Sequence, residues 1–257
     1  MLLVVHRSSV RTPAIVSKVT EMTGNNPNAR GRHVVVRDIE RTPMDVVDQL
    51  APIGTATVHE AMGKRGYLGA ELRPIQHDAR IAGNAVTVLI HPSDNLMIHA
   101  AVEVCQPGDV LVVATTTPAN PPAQGIFGDL LATSLQTRGV RGLVIDTGVR
   151  DTLDLREMGF PVWSRFVSCQ GPIKAVAGSV NVPVTIGGIL INPGDTICAD
   201  DDGVVAVPRT EADWALEKSN ARLATEATTR ERLAAGELGV DFYGLRPLLS
   251  DLGVEYI

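Results

Sequence analysis

The chain has 257 residues, 44% of them hydrophobic, which is enough to bury the core of one large domain or two small ones. Its 29 acidic residues outnumber its 23 basic ones, giving a formal net charge of -6, so no basic surface favours a nucleic-acid partner. Aromatic residues make up only 4%, which disfavours stacking on single strands, and no apolar run is long enough to predict a membrane span.

The first 31 residues differ in composition from the rest of the chain. Basic side chains outnumber the single acid Glu21 in this segment, which closes on the turn-forming stretch GNNPNARG. It lacks the long apolar region and the small-residue cleavage site of a signal peptide. We therefore interpret residues 1–31 as a flexible or appended segment, and we expect the protein to be cytoplasmic.

Regular helix and strand signals begin at His33. Thr57 and Glu60 match a capping box, a hydroxyl residue followed three positions later by Glu, and predict a short helix closed by Gly63. Predicted elements then alternate: a strand over 85–90, a helix from Ser93 to about Cys105, a strand over 110–115, a helix over 127–138, a strand over 142–147, a short helix from Asp151 and a strand over 161–164. This alternation is typical of an α/β protein.

The remainder is β-like over 182–208 and then helical over 210–236, where a glycine ends the helix. The tail over 241–257 is aromatic and apolar, which indicates docking on another surface, such as a neighbouring subunit. We therefore expect a catalytic α/β core over 32–208. A C-terminal helix and tail over 209–257 would make the intersubunit contact.

The motifs of common cofactors and nucleophiles do not occur in the sequence. No GxGxxG, P-loop or GxSxG is present, and His59-Glu60 does not extend to HExxH because Gly63 takes the fifth position. Three cysteines, Cys105, Cys169 and Cys198, form no CxxC pair and lie in apolar runs. We predict that all three are buried free thiols in a reducing compartment.

Asp129, Arg150 and Asp151 remain as candidate chemistry. Each carboxylate falls at the start of a predicted helix, so each taken alone is more simply explained as a helix cap. A helix followed by a parallel strand returns the chain, however, and can bring Arg150 back beside Asp129. Together, two carboxylates and an arginine fork suit a hard divalent cation and a substrate carboxylate.

The spacing Asp129-x20-Arg150-Asp151 resembles the signature of the metal-dependent pyruvate aldolases related to the ribonuclease E regulator protein. Further stretches are similar, in order, to one subgroup of these aldolases: TATVHEAMG, SDNLMIHAA, QPGDVLVVA, GDLLATS, GVRD, GFPVWS, GSVNVPV and PGDTICADDDGVVAVP. The subgroup is the 4-carboxy-4-hydroxy-2-oxoadipate / 4-hydroxy-4-methyl-2-oxoglutarate aldolases. The resemblance runs from about residue 33 to the end of the sequence.

The resemblance implies an α-β-β-α sandwich of the swivelling β/β/α type with a C-terminal helical extension, assembled as a homotrimer or homohexamer with sites between subunits. It implies that Asp151 binds Mg²⁺ or Mn²⁺ directly, that Asp129 holds one of the metal's waters and that Arg150 binds the pyruvyl part of the substrate. Lesser roles are implied for the backbone N–H groups of Leu130 and Leu131 on the substrate carboxylate, for Asn95 and His99 near the pocket, and for Glu226 in the neighbour's site.

The activity implied is cleavage of a 4-hydroxy-2-oxo acid to pyruvate, with oxaloacetate as the second product of the 4-carboxy substrate. That reaction belongs to the protocatechuate 4,5-cleavage pathway of aromatic-compound catabolism. Oxaloacetate decarboxylation is a predicted second activity, because loss of CO₂ leaves the same enolate. The preference between the two substrates stays open, with Arg65, Arg73 and Arg165 as candidates to bind the extra carboxylate.

Two alternatives to this interpretation stay open. Lys174 could form a Schiff base with the oxo acid, although a surface or salt-bridged lysine is the better interpretation of its sequence context. The chain could also be a non-enzymatic binding protein like the ribonuclease regulators of the same core. Those regulators lack the long helix and aromatic tail over 210–257, so the presence of this extension and of Glu226 favours the aldolase.

Overall fold

The computed structural model describes residues 33–117 and 123–257, so the prediction for residues 1–31 lies outside the described residues. The helices are α1 (Met44–Leu50), α2 (Thr55–Ala61), α3 (Leu96–Val102), α4 (Asp129–Thr137), α5 (Thr152–Glu157), α6 (Ala212–Ala234), α7 (Gly239–Phe242) and α8 (Leu245–Asp251). The strands are β1 (Arg73–Pro74), β2 (Ile81–Ile90), β3 (Asp109–Thr115), β4 (Gly125–Phe127), β5 (Gly142–Val149), β6 (Val162–Val167), β7 (Ser179–Val180), β8 (Val184–Ile186), β9 (Ile189–Ile191), β10 (Thr196–Asp200) and β11 (Gly203–Val207). Over these described ranges, no helix has both the length and the apolar character that a membrane crossing requires.

Nine of the described strands form one mixed sheet in the order β1-β6-β5-β3-β2-β10-β11, with β4 paired to β5 and β7 paired to β2. Strands β2, β3, β5 and β6 run parallel, whereas β10 is antiparallel to both β2 and β11. The parallel pairs follow from the helices between them, because a crossover helix returns the chain to the same end of the sheet. The predicted mixed α/β class is confirmed.

One segment, residues 66–74, connects the two edges of this sheet. Its residues 66–68 form backbone hydrogen bonds with β11, and its residues 73–74 pair antiparallel with β6. Across the interior, the indole N–H of Trp163 on β6 donates to the carbonyl of Asp200 at the end of β10, at 2.8 Å. The sheet is thereby nearly closed around a packed interior.

Three hydrophobic clusters pack against the sheet. Alternate strand residues fill the interior together with Trp163 and the β8–β9 hairpin. The intervening residues face outward and pack under α3, α4 and α5. A third cluster lies between β10, β11 and the helices α1, α2 and α6. Because helices cover the outer face, the loops that follow the parallel strands are left to build a site.

The predicted capping box is wrong in position. Thr57 and Glu60 both lie inside α2, which begins at Thr55 without a side-chain cap. Thr55 is instead held by the carboxylate of Asp200, which accepts its hydroxyl at 2.5 Å and its backbone N–H at 2.8 Å. A residue distant in sequence thus sets where this helix begins. The predicted end is correct, since Gly63 follows the helix with φ of 68°.

The helix predicted from Ser93 to Cys105 is shorter than expected. Ser93 has φ of 69° and does not cap it, whereas Asp94 accepts the N–H of Leu96 at 2.8 Å. The left-handed backbone at Ser93 delays the first helical turn until Leu96. Ser93 uses its hydroxyl to donate to Oε1 of Gln124 at 2.7 Å.

The cysteine prediction holds for two of the three thiols. Cys105 and Cys198 are buried, and burial raises the pKa of each thiol to about 12. Cys169 is exposed, so its predicted burial is wrong. It lies after β6, in the loop that leads toward Lys174, where the chain has left the hydrophobic core.

The C-terminal region packs on the core only at its start. Helix α6 buries Ala212, Ala215 and Ser219 beside α1 and α2. After α6, the helices α7 and α8 and the tail bury no residue. The region from Leu238 onward exposes large apolar side chains: Leu238, Tyr243, Leu245, Leu248, Leu252, Val254, Tyr256 and Ile257. The expectation that this region contacts another subunit stays a prediction.

Candidate active site

The pairing of β4 with β5 brings the three candidate residues together. These two strands run parallel, with Phe127 opposite Val149, and the backbone N–H of Arg150 donates to the carbonyl of Phe127 at 2.9 Å. The chain therefore leaves both strands at the same point, with Asp129 following one and Arg150-Asp151 following the other. Sequence reasoning anticipated this return of the chain but did not predict β4 itself.

Asp151 lies in a left-handed backbone conformation, with φ of 54° and ψ of 39°. Its Oδ2 is 3.2 Å from Nε of Arg150, and the two side chains are 32% and 40% exposed, so the ion pair remains accessible to a ligand. A non-glycine residue in this conformation is uncommon and strained, and such strain concentrates at functional sites. The turn places a carboxylate and a guanidinium side by side at the mouth of a cleft.

The helix-cap explanation of the two carboxylates is not supported. The residue that precedes α4 is Gly128, and no side-chain cap hydrogen bond forms there, so Asp129 occupies the first helical turn. Asp151 does precede α5, but its side chain makes no cap hydrogen bond either. Compensation of the helix dipole and the exposed ion pair of Asp151 with Arg150 are the structural roles that remain for them, and both leave carboxylate oxygens available to other partners.

A cleft of about 160 Å³ opens beside these residues. Six of the eight predicted site residues line it: Asn95, His99, Asp129, Leu130, Leu131 and Arg150. The other two are Asp151, which lies next to Arg150 in the chain, and Glu226, which was expected to come from a neighbouring copy. Gly128, Gly171 and Lys174 also line it. Gly171 leaves room for the guanidinium, since a Cβ there would be 3.0 Å from Nη1 of Arg150.

Asn95, which directly precedes α3, and His99, which lies on α3, contribute different polar groups to the lining of the cleft. Asn95 is 5% exposed and donates through Nδ2 to the carbonyl of Ile126 at 2.9 Å, while its Oδ1 is buried with no partner among the described residues. His99 is more open. Partial burial, and then the nearby charge of Lys174, lower the pKa of His99, so the ring is neutral at pH 7. Asn95 and His99 therefore line the same cleft, although the unpartnered Oδ1 of Asn95 is itself buried.

Lys174 takes the place that sequence reasoning gave to arginines. Arg65 binds Glu211 at 2.7 Å, and Arg165 binds the buried carboxylate of Asp146 at 2.5 Å. Neither these arginines nor Arg73 on β1 lines the cleft. Lys174 does line it and is exposed, and it has no ion pair in the part of the chain that the structure describes. The proximity of this lysine to Arg150 carries no local sequence signal, because the 23 residues between them include α5 and β6.

Glu226 lies apart from this cleft within the subunit. It sits on α6, where Oε1 is 2.8 Å from Nε of Arg222 and Oε2 accepts the hydroxyl of Thr57 at 3.4 Å. It lines a different depression, together with Thr229 and Tyr243. Any contribution of Glu226 to the cleft would therefore come from a second copy, and that assignment remains a prediction.

The carboxylates of Asp129 and Asp151 suit a hard divalent cation that keeps most of its water ligands. Within residues 33–117 and 123–257, no group of three or more His, Cys, Asp or Glu side chains is placed to enclose a metal ion. Mg²⁺, however, commonly keeps several waters and takes only one or two protein carboxylates. The half-exposed carboxylates of Asp151 and Asp129, with the unpartnered oxygen of Asn95 nearby, match that requirement.

A larger cavity of about 520 Å³ lies elsewhere on the molecule. It is lined by His59, Tyr67 and Leu190 among others, and of the predicted residues it includes Arg65, a candidate for the substrate's extra carboxylate. The larger volume of this cavity does not by itself indicate a reaction. The smaller cleft combines cations, carboxylates and free helical N–H groups, so it is the candidate active site.

Comparison with known proteins places the chain in a family. The RraA-like family, described as Aldolase/RraA, matches residues 55–206, and the chain belongs to this family. The matched region spans the whole sheet from α2 to β11 and contains the cleft.

Some relatives of this chain are named as aldolases, and another is described as a member of a ribonuclease inhibitor family. A protein of Halalkalibacterium halodurans named "Putative 4-hydroxy-4-methyl-2-oxoglutarate aldolase" is 26% identical over 80% of this chain and 96% of its own length. A Burkholderia multivorans protein of the same name is 36% identical over 56% of this chain and 86% of its own. The crystal structure of Streptomyces coelicolor RraAS2, described as an unusual member of the RNase ES inhibitor RraA protein family, superposes with a TM-score of 0.68. It is 29% identical and covers 75% of this chain and 99% of that one.

Proposed function

We propose that this protein is a divalent-metal-dependent pyruvate aldolase of 4-hydroxy-2-oxo acids. The substrates would be 4-carboxy-4-hydroxy-2-oxoadipate, giving pyruvate and oxaloacetate, and 4-hydroxy-4-methyl-2-oxoglutarate. The observation that supports this most directly is the meeting of Asp129, Arg150 and Asp151 at one cleft. Neither helix capping nor a buried ion-pair network accounts for these three side chains.

Mg²⁺ or Mn²⁺ would be held by Asp151, with Asp129 binding one of its waters. When bound, such an ion withdraws electron density from the carbonyl of the 2-oxo acid. The cation also offsets the repulsion between two protein carboxylates and an anionic substrate, in a chain whose net charge is -6.

The protein's own groups would bind and orient the oxo acid. The guanidinium of Arg150 donates to the substrate's 2-oxo oxygen, and the first-turn N–H groups of Leu130 and Leu131 receive its carboxylate, since they have no acceptor within α4. Asn95 and His99 also line the cleft. The anion-binding end of the substrate is thereby fixed against Arg150.

Carbon–carbon cleavage then requires removal of one proton. The carboxylate of Asp129 would accept the proton of the C4 hydroxyl through a water molecule, and the C4–O bond would become a carbonyl as the C3–C4 bond breaks. The electron pair of the C3–C4 bond would move into the enolate of pyruvate. Arg150 stabilises the negative charge that develops on the enolate oxygen, a contribution of about 3–4 kcal/mol per positioned donor. Protonation at C3 completes pyruvate. Loss of CO₂ from oxaloacetate gives the same enolate, so decarboxylation is proposed as a second activity.

The proposal includes an assembly and a setting. The protein would be a homotrimer or homohexamer of α-β-β-α sandwiches in the cytoplasm, acting in the protocatechuate 4,5-cleavage pathway, with Glu226 of one copy completing its neighbour's cleft. The exposed apolar side chains of α7, α8 and the tail support a subunit contact. Light scattering combined with size-exclusion chromatography measures the number of copies, and a monomer would contradict this part of the proposal.

A coupled assay for pyruvate tests the activity. Purified protein is given 4-carboxy-4-hydroxy-2-oxoadipate, 4-hydroxy-4-methyl-2-oxoglutarate or oxaloacetate, each with added Mg²⁺ and with a chelator. We expect pyruvate from all three with Mg²⁺ and little with the chelator. Equal rates in both conditions would refute the metal requirement. Trapping of a lysine adduct by borohydride with pyruvate would favour Schiff-base chemistry at Lys174 instead.

The second candidate function is regulation of a ribonuclease without catalysis. The similarity to RraAS2 favours it, because RraAS2 is described as a member of an inhibitor family. The cleft disfavours it, since Arg150, Asp151 and Lys174 would then have no ligand. Absence of pyruvate from every substrate with either metal, together with inhibition of a ribonuclease, would establish this candidate instead.

A further inference from the structure

The carboxylate of Asp94 holds together two segments of the cleft wall. Asp94 is 1% exposed. Its Oδ1 accepts the N–H of Leu96 at 2.8 Å, and its Oδ2 accepts the N–H groups of Ala175 at 2.6 Å and Val176 at 2.8 Å. One buried side chain therefore connects the start of α3 with residues 173–176, which we call the rim segment.

Backbone hydrogen bonds place the rim segment in register with Asp94. The Ile173 N–H donates to the carbonyl of Ser93 at 2.9 Å, and the Asn95 N–H donates to the carbonyl of Ile173 at 3.1 Å. The rim segment itself is exposed and belongs to no helix or strand. Apart from these bonds, little in the described structure fixes its position.

The two joined segments contribute three side chains to the lining of the cleft. Lys174 lies within the rim segment. Asn95 directly follows Asp94, and His99 lies on α3. Lys174 and His99 both line this cleft, so the two side chains belong to one site. An exposed lysine side chain has many rotamers, so the position of its ammonium group depends on the backbone that carries it.

We propose that Asp94 is a positioning residue that fixes Lys174 beside His99, and that this pair selects oxo acids carrying a second carboxylate. The inference rests on the proposed function, because it assigns Arg150 to the oxo-acid end of the substrate. Lys174 then receives the carboxylate at the other end. Asp94 touches neither end and acts only through the rim segment.

The matched substrates are 4-hydroxy-4-methyl-2-oxoglutarate, which has a second carboxylate, and 4-hydroxy-2-oxopentanoate, which has none. For Asp94→Asn we expect KM for the dicarboxylate to rise about tenfold, as for loss of one charge-assisted contact, with kcat nearly unchanged. Both constants for the monocarboxylate should stay within about twofold of the wild type. Asp45→Asn, an exposed acid in the first turn of α1, is the control and should alter neither substrate.

A double-mutant cycle separates positioning from a general loss of structure. Lys174→Ala should remove the same preference, and adding Asp94→Asn to it should change the ratio of kcat/KM for the two substrates no further. An equal loss on both substrates, or an additive effect in the double variant, would overturn the proposal. Should Asp94→Asn fail to fold, Asp94→Glu replaces it, and the same ratio is expected to fall by a smaller factor.

Two readouts do not depend on catalysis. Hydrogen exchange at the amides of Ala175 and Val176 should be slow in the wild type and at least about tenfold faster in Asp94→Asn. If the wild type releases no pyruvate, the proposed function fails, and binding of oxaloacetate and of pyruvate by calorimetry then tests the selectivity itself. Unchanged exchange at these amides, or an unchanged ratio of the two affinities in Asp94→Asn, would refute the role of Asp94.

Discussion

Gly128 and the carboxylate of Asp151 occupy adjoining space. A Cβ atom added to Gly128 would lie 3.1 Å from Cγ of Asp151 and would overlap its Oδ2. The backbone of Gly128 is extended, with φ of -152°, so a side chain is excluded by Asp151 and not by backbone conformation. Asp151 thus keeps its position because its neighbour across the turn has no side chain.

Gly128→Ala should therefore displace Asp151 and reduce pyruvate release more than tenfold, at an unchanged fold. Gly54→Ala is the matched control, because φ there is -62° and the nearest atom to a new Cβ would be an ordinary 3.6 Å away. Initial rates and circular dichroism measure the two effects. Comparable activity of the two variants would mean that the position of Asp151 does not matter.

Arg150→Ala should lower kcat by about 10²–10³-fold, the usual loss when one donor to a developing oxyanion is removed. Arg150→Lys should recover only part of it, because an ammonium group lacks the planar fork of a guanidinium. Arg37→Ala, at a side chain 74% exposed, is the control and should keep full activity. Light scattering checks that the assembly is intact, and near-normal turnover by Arg150→Ala would refute the site.

Lys174→Met should raise the pKa of His99. Partial burial and the Lys174 charge both lower this pKa in the wild type, and the substitution removes only the charge. The titration of His99 by NMR should therefore move upward, toward its ordinary value near 6.5. Lys218→Met, on α6, is the control and should leave the titration in place. An unchanged His99 titration would show that the two side chains do not interact.

Asp94 should make the stability of the protein depend on acid pH. Burial opposes ionisation of Asp94, but hydrogen bonds from Leu96, Ala175 and Val176 outweigh it, so the pKa of this carboxyl lies below its ordinary value. The stabilisation is complete above the ordinary pKa near 3.9 and is lost as the pH falls through the lower folded-state pKa. Asp94→Asn should be less stable by about 1–3 kcal/mol at pH 7, and the difference should shrink below about pH 4. Denaturant unfolding at several pH values measures it.

Two strands of the sheet could be predicted because each contains a short, continuous apolar run. The 85–90 and 110–115 runs both lie within observed strands, β2 and β3, that are buried nearly throughout. Helix starts were less predictable. Asp200 fixes Thr55 from 145 residues away, and Asp94 replaces Ser93 at the start of α3. No local pattern reports a carboxylate that arrives from another part of the chain.

The candidate site was also predictable only in part from the sequence. The approach of Asp129 to Arg150 follows from the general rule that a helix returns the chain to the next parallel strand, so the sequence predicted it. Lys174 was assigned to the surface, and it is exposed, but its place beside the cleft depends on hydrogen bonds to Asp94, which lies 80 residues earlier. Arg65 and Arg165 have carboxylate partners that only the folded chain reveals, and their role at the extra carboxylate stays a prediction.

The near-closure of the sheet by residues 66–74 has a consequence for association. An open sheet presents a row of unpaired backbone groups that can recruit a strand from another molecule and start aggregation. Here β6 and β11 each have their outer side occupied, by the two ends of a single short segment. Within the described residues, these two edges of the sheet are thus unavailable for pairing strand to strand with another copy.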